Sequence, residues 1–195
     1  MLIGLISDTH ITPKRGKLSE KIFEIFDGVD LILHAGDITV QNVLDDLSKI
    51  APVIAVLGNN DKLDLKKHEI IEIKEKKILL VHGDKIDLYE SGLKYEADIV
   101  VSGHTHRPNH EIVNGMHLIN PGSSNRPVNS NAFVALLKID DGIDVDFRDL
   151  TEQMFSFKIK NSNLGRSTIL PILLIFQQWH LPRIVLLFQV LHKNL

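Results

Sequence analysis

The chain has 195 residues, enough for one domain with a sizeable core, and its 44% hydrophobic and 24% charged content is that of a globular protein. A formal charge of −3 gives no general attraction to nucleic acid or an anionic membrane, so a phosphorylated ligand would need local positive charge. The absence of cysteine excludes disulfides, thiolate catalysis and Cys-ligated zinc, and fits a reducing, cytoplasmic setting.

The opening MLIGLIS is too short for a signal-peptide core and runs straight into Asp8, so it reads as a buried strand, Leu2–Ser7. Leu18, Ile22, Ile25 and Phe26 share one face of a helix over Leu18–Phe26, and Leu31–His34 is a second strand. Val43, Leu44, Leu47 and Ile50 mark a second helix over Val40–Ile50, before a third strand, Val53–Leu57. This β-α-β-α-β order predicts neighbouring parallel strands. Glu69–Ile73 and Lys77–Val81 form a hairpin across a charged, solvated turn, and a short helix over Leu88–Tyr95 leads to the apolar strand Ile99–Val101. Strands Glu111–Val113 and Met116–Ile119 flank Asn114-Gly115, and Phe133–Ile139 and Ile143–Phe147 flank Asp141-Gly142, both strong hairpin signals. The sum is an α/β fold, a four-layer α/β/β/α sandwich of two mixed sheets with flanking helices.

Every Asp and Glu lies at or before Glu152. A catalytic domain over 1–158 is therefore expected, followed by a linker and hydrophobic extension over 159–195. A membrane span wants about 20 uninterrupted apolar residues. Ile169–Leu191 carries Pro171, Gln177, Gln178, His180, Pro182 and Arg183, which argues against one. Phe176, Trp179 and Phe188 give this tail a surface suited to a homo-oligomer contact.

Polar groups that can bind metal follow five predicted strands. Asp8 and His10 follow the first, Asp37 the second, Asn59 the third, His82 the fifth, and His104 and His106 the apolar strand ending at Val101. In open α/β sheets ligands bind where strand carboxyl ends converge, so the seven can share one site. Imidazole with carboxylate suits manganese, iron, zinc, nickel or cobalt. Asp37 can bridge two ions about 3.5–4 Å apart, and a bridging water becomes hydroxide near neutral pH, an in-line nucleophile for phosphorus.

The ordered set Ser7-Asp8-Thr9-His10, Gly36-Asp37, Gly58-Asn59-Asn60-Asp61, His82-Gly83-Asp84, Gly103-His104-Thr105-His106 and Asn120-Pro121-Gly122-Ser123 resembles the calcineurin-like metallophosphoesterases. It is most similar to their small single-domain prokaryotic phosphodiesterase subfamily. The resemblance implies two divalent metal ions, manganese first and nickel, iron, cobalt or zinc as alternatives. It implies that Asp8, His10 and His106 hold one ion, that Asn59, His82 and His104 hold the other, and that Asp37 bridges them. The substrate implied is a small phosphate ester, a diester ahead of a monoester, with Asn59, Asn60 and His104 as catalytic positions. Many relatives carry His where this chain has Asn60, which cannot serve as an acid. Loss of general-acid help, worth about 10²–10⁴ in rate, implies modest activity that favours good leaving groups.

Plainer readings hold elsewhere. His34 is expected beside the site or in the core, and His110 on a surface loop; His68, His117, His180 and His192 have no motif context. Asn120–Ser123 reads as a turn, Asp61 and Asp84 as turn residues or partners of the ligands, and Arg107 and Arg126 as surface arginines. A nuclease is disfavoured by the acidic charge and the lack of an aromatic-basic stripe. An interaction scaffold is the alternative function, because the retromer scaffold subunit keeps this fold with a decayed metal site. All seven ligand positions here are metal-competent.

Overall fold

The computed structural model describes residues 1–12 and 16–151; the expected domain limit at 158, the linker and the apolar tail lie outside the described residues. Sheet 1 has the order β10-β9-β1-β2-β3, built from β1 (Leu2–Ile6), β2 (Leu31–His34), β3 (Val53–Ala55), β9 (Phe133–Ile139) and β10 (Ile143–Asp149). Sheet 2 has the order β4-β5-β6-β8-β7, built from β4 (His68–Ile73), β5 (Lys76–Val81), β6 (Ile99–Val101), β7 (Pro108–Val113) and β8 (Met116–Pro121). Both sheets are mixed. β1, β2 and β3 run parallel, as do β5, β6 and β8, and β9, β10, β4 and β7 pair antiparallel at the flanks.

Side-chain alternation sorts the layers. Ile3, Leu5, Leu31, Leu33 and Leu137 of sheet 1 meet Ile78, Leu80, Ile99, Val101 and Ile119 of sheet 2 in one buried core between the sheets. The opposite face of sheet 1 offers Ile6, Ile32 and Val134 to Ile22 and Phe26 beside α1 (Glu20–Ile25) and to Val43, Leu44 and Leu47 of α2 (Gln41–Leu47). The outer face of sheet 2 packs Leu79, Val100 and Met116 against Leu88 and Tyr89 of α3 (Leu88–Lys94). This is the expected α/β/β/α sandwich, and both apolar faces of each sheet are covered.

The hairpins are set by local chemistry. Asn114-Gly115 forms a two-residue turn with φ of 50° and 85°, closing the Val113–Met116 pair. Lys74-Glu75 adopts the same all-positive geometry, φ 46° and 62°, without a glycine, so Lys76 and Lys77 belong to β5 rather than to the turn. Asp141-Gly142 closes a hairpin of a different kind: Ile139 pairs with Ile143 across three residues, and Asp140 Oδ1 accepts from Gly142 N at 3.2 Å. His110 is not on a loop. It lies in β7, and its Nε2 is 3.0 Å from His117 Nδ1 on β8, a pairing created by the antiparallel register.

Candidate metal centre

The seven candidate ligands sit beyond the carboxyl ends of β1, β2 and β3 in one sheet and β5 and β6 in the other, so packing of the two sheets brings the loops together. The loops after β1 and β2 are stitched by Asp8 N–H to Gly36 O and His10 N–H to Asp37 O, both 3.0 Å. Gly103 N–H donates to His82 O at 3.0 Å, joining the loops after β5 and β6. The ligand loops use left-handed backbone at non-glycine positions: Asp8 (φ 51°), His10 (45°), Asp37 (57°), Thr39 (75°), His104 (69°) and His106 (60°). Each such residue costs about 1–3 kcal/mol and persists only where its surroundings over-determine it. In the Asp8-x-His10 and His104-x-His106 triplets this backbone brings both outer side chains to the candidate site.

Two glycines show how little room remains. A Cβ at Gly58 would collide with Asp37 N and Oδ1, and one at Gly103 would collide with Ser7 Oγ and stand 2.8 Å from Asp8 Oδ2. Glycine before Asn59 and His104 is thus a steric requirement of the converging loops.

One ligand atom each from Asp8, His10, Asp37 and His106 lies within 4.8 Å of the others. His106 Nε2 is 3.3 Å from Asp8 Oδ1 and 3.2 Å from His10 Nε2, and His10 Nε2 is 3.4 Å from Asp37 Oδ2. Asn59 Oδ1 stands 2.9 Å from His82 Nε2 and 3.1 Å from His104 Nδ1, and His82 Nε2 is 3.6 Å from Asp37 Oδ2. Asp37 therefore faces both groups. All seven expected residues come together; Asn59 and His104 are exposed, while Asp8, Asp37 and His82 are buried.

The donor chemistry fits cations. His82 Nδ1 is 2.8 Å from the carbonyl of Ala35, and His106 Nδ1 is 2.5 Å from that of Arg126. A carbonyl only accepts, so each Nδ1 carries a proton, and in the singly protonated form that binds metal each ring turns its Nε2 lone pair inward. Those lone pairs point at Asn59 Oδ1 and at Asp8 Oδ1, an oxygen that is buried and lacks any hydrogen-bond donor. Acceptors facing acceptors in a buried site repel unless a cation lies among them. Burial raises the Asp8 pKa, against the Ser7 hydroxyl that donates to Oδ2 at 2.7 Å, and burial lowers that of His10. For Asp37 burial pushes upward, but the Asn60 backbone N–H and side-chain amide, with the nearby His82 and His10, bring the net shift down. A bound divalent ion favours the ligating form of every one of these groups.

Asn60 lies beside Asp37 rather than free in the opening: its N–H donates to Oδ1 at 2.8 Å and its Nδ2 to Oδ2 at 2.6 Å. Asp61 accepts from Thr39 N at 2.7 Å and Gly58 N at 2.8 Å, tying the loop after β3 to the loop after β2. His34 is a buried brace, as expected. Its Nδ1 accepts from Gly36 N at 3.2 Å, leaving Nε2–H to donate to Thr9 Oγ1 at 3.3 Å, and burial drives its pKa from 6.5 to about 3. The turn Asn120–Ser123 does more than turn. Ser123 Oγ donates to Asp8 O at 2.7 Å, and Asn120 Nδ2 donates to Gly103 O at 2.6 Å and to Thr105 Oγ1 at 3.1 Å. The residues alone gave only a turn here, although Asn120-Pro121-Gly122-Ser123 stood among the family-like motifs; the Arg126 carbonyl left no signal in the sequence.

Carboxylates and imidazoles gathered from both sheets of an α/β/β/α sandwich form a candidate metal site of the kind a metallophosphoesterase fold presents. Residues 1–142 match the calcineurin-like phosphoesterase superfamily domain, and the chain belongs to that superfamily. It is 37% identical over 159 residues to a probable metallophosphoesterase of Methanocaldococcus jannaschii, covering 78% of this chain and 83% of that protein. A phosphodiesterase of the same organism is 32% identical over 139 residues, covering 63% of this chain and 83% of that protein. The fold is also that of Vps29 from Entamoeba histolytica, solved with zinc, at a TM-score of 0.67 and 23% identity over 77% of this chain and 100% of that one.

Proposed function

We propose that the protein hydrolyses a phosphodiester with two divalent metal ions, manganese first among manganese, nickel, iron, cobalt and zinc. Asp8, His10 and His106 would hold one ion, Asn59, His82 and His104 the other, and Asp37 both. The observation that carries this reading is the convergence of four imidazoles, two carboxylates and one amide oxygen with lone pairs turned on one another around Asp37. Bound ions would supply Lewis acidity toward the phosphoryl oxygens and acidify water enough to ionise near neutral pH.

The chain's own groups set the rest. Asn59 turns Oδ1 to His82 and His104, which leaves its amide hydrogens for a phosphate oxygen. His104, exposed at the mouth, is the ligand placed to meet the incoming ester. Asn60 orients Asp37 through two hydrogen bonds and has no acidic proton for a departing alkoxide, so good leaving groups should be favoured. A diester is preferred over a monoester because cavities of about 530 Å³ and 540 Å³ open on opposite ligand groups, one at Asn59 and His82, the other at His10 and His106. Each can take one ester arm.

No described helix is long and apolar enough to cross a membrane. The lack of cysteine supports a cytoplasmic enzyme, with residues 1–158 as its catalytic domain and the apolar tail as a contact between copies.

The test is turnover of bis(4-nitrophenyl) phosphate beside 4-nitrophenyl phosphate, on protein stripped by chelator and then given manganese. Loss on chelation, recovery with metal and a diester-to-monoester ratio above one are expected. Failure of all five metals in folded protein would leave the interaction scaffold as the better reading.

A further inference from the structure

The cavity over the first ligand group is lined, among the described residues, by His10, Asn60, His106, Arg126, Pro127 and Val128, none of them a carboxylate. Arg126 is held there through its backbone. Its N–H donates to Ser123 Oγ at 2.7 Å and its carbonyl takes the His106 Nδ1 proton, so the side chain is left for other work. No ion pair among the described residues engages the guanidinium, whereas Lys49, Lys66, Lys76, Lys77, Lys138 and Arg148 each have an acidic partner. Beside Arg126, Val128 is 43% exposed, an apolar side chain without cover at the rim, next to Pro127.

The geometry points to a substrate subsite in which Arg126 grips a non-bridging phosphate oxygen and Pro127 and Val128 seat an apolar, aryl or alkyl, arm of the diester. This rests on the phosphodiesterase reading and deepens it. A planar guanidinium fork suits two phosphoryl oxygens, and none of the described side chains lining this cavity is a carboxylate that would pair with it. An apolar arm removes Val128 from water on binding, whereas a strongly charged arm would lose hydration against it. Arg126 would be a catalytic residue in the strict sense of touching substrate, and Val128 a specificity residue.

The experiment uses the full manganese-loaded chain and two substrates sharing one leaving group, methyl 4-nitrophenyl phosphate and phenyl 4-nitrophenyl phosphate. Wild type should favour the phenyl arm by about 10-fold in kcat/KM, and Val128→Ser should bring that ratio near one. Arg126→Ala should lower both substrates by about 10²-fold, with Arg126→Lys recovering only part. Metal content and Tm should stay at wild-type values in every variant, because the bracing of His106 and Ser123 uses the Arg126 backbone, which truncation keeps. Arg126→Ala within threefold of wild type on both substrates, or an arm preference unmoved by Val128→Ser, would overturn the proposal. Calorimetric binding of phenylphosphonate and methylphosphonate separates this from the parent reading. No turnover, with a phenylphosphonate preference that Val128→Ser abolishes and binding of both phosphonates that Arg126→Ala weakens, sinks the hydrolase reading alone; equal binding of both in wild type, unmoved by Arg126→Ala, sinks the subsite.

Discussion

The two ligand groups around Asp37 are built from similar residues and are unlike in burial and charge. Asp8, His10 and His106 lie under the loops, with a carboxylate whose Oδ1 lacks any other partner. Asn59, His82 and His104 hold no carboxylate of their own, and His104 is exposed. Coulombic attraction for a dication is strongest where anionic ligands are desolvated, so the first group should fill before the second. The more open group, with its neutral Asn59, is then the one suited to exchange a ligand for substrate.

The largest break in this comparison should come from Asp37, the residue that serves both halves. Asp37→Ala should cut turnover by about 10³-fold or more, the equivalent of several kcal/mol of transition-state stabilisation, with bound metal falling below two equivalents by elemental analysis. Asp8→Asn and Asn59→Ala should then divide the halves. The first should abolish high-affinity metal binding in equilibrium dialysis, and the second should spare it while weakening the second equivalent by about 10–100-fold. Removing the Ser123 hydroxyl in Ser123→Ala leaves the buried Asp8 carbonyl short of a donor, and should lower stability by about 1–3 kcal/mol in urea titration.

The smallest effect concerns pH, and its sign follows from His34. The folded protein holds this imidazole neutral down to about pH 3, whereas the ordinary value is 6.5. Between those values the unfolded chain binds a proton that the folded chain refuses, so stability falls as pH drops below 6.5, by at most about 1.4 kcal/mol per unit. His34→Gln should flatten that acid limb between pH 6.5 and 5, measured by denaturant midpoints.

Much of this was legible in the sequence, for specific reasons. The ligands stood at the ends of apolar runs whose strand character period and length declare, and a strand end is where a parallel sheet presents functional groups. Their types pointed to a divalent-metal site, and the ordered motifs, through resemblance, to phosphate-ester chemistry. What stayed hidden depends on chain segments far apart. The Ser123 hydroxyl reaches Asp8 across 115 residues, and the Arg126 carbonyl orients His106 across 20. Neither leaves a periodic trace. The His110–His117 contact required the β7–β8 register, and β7 begins three residues earlier than its apolar run suggested, because Pro108 opens an edge strand that needs no N–H there. The commitment of Asn60 to Asp37 was also invisible: an amide after a ligand reads equally as a substrate contact.

The most direct test of the central claim, two adjacent ions held unequally by these seven residues and both needed for hydrolysis, is a stepwise manganese titration of stripped protein. Electron paramagnetic resonance and turnover of an aryl phosphodiester would be read on the same samples. The first equivalent should give an isolated manganese spectrum with little turnover, and the second an exchange-coupled spectrum together with full activity. Full activity at one equivalent, or two uncoupled ions, would contradict it.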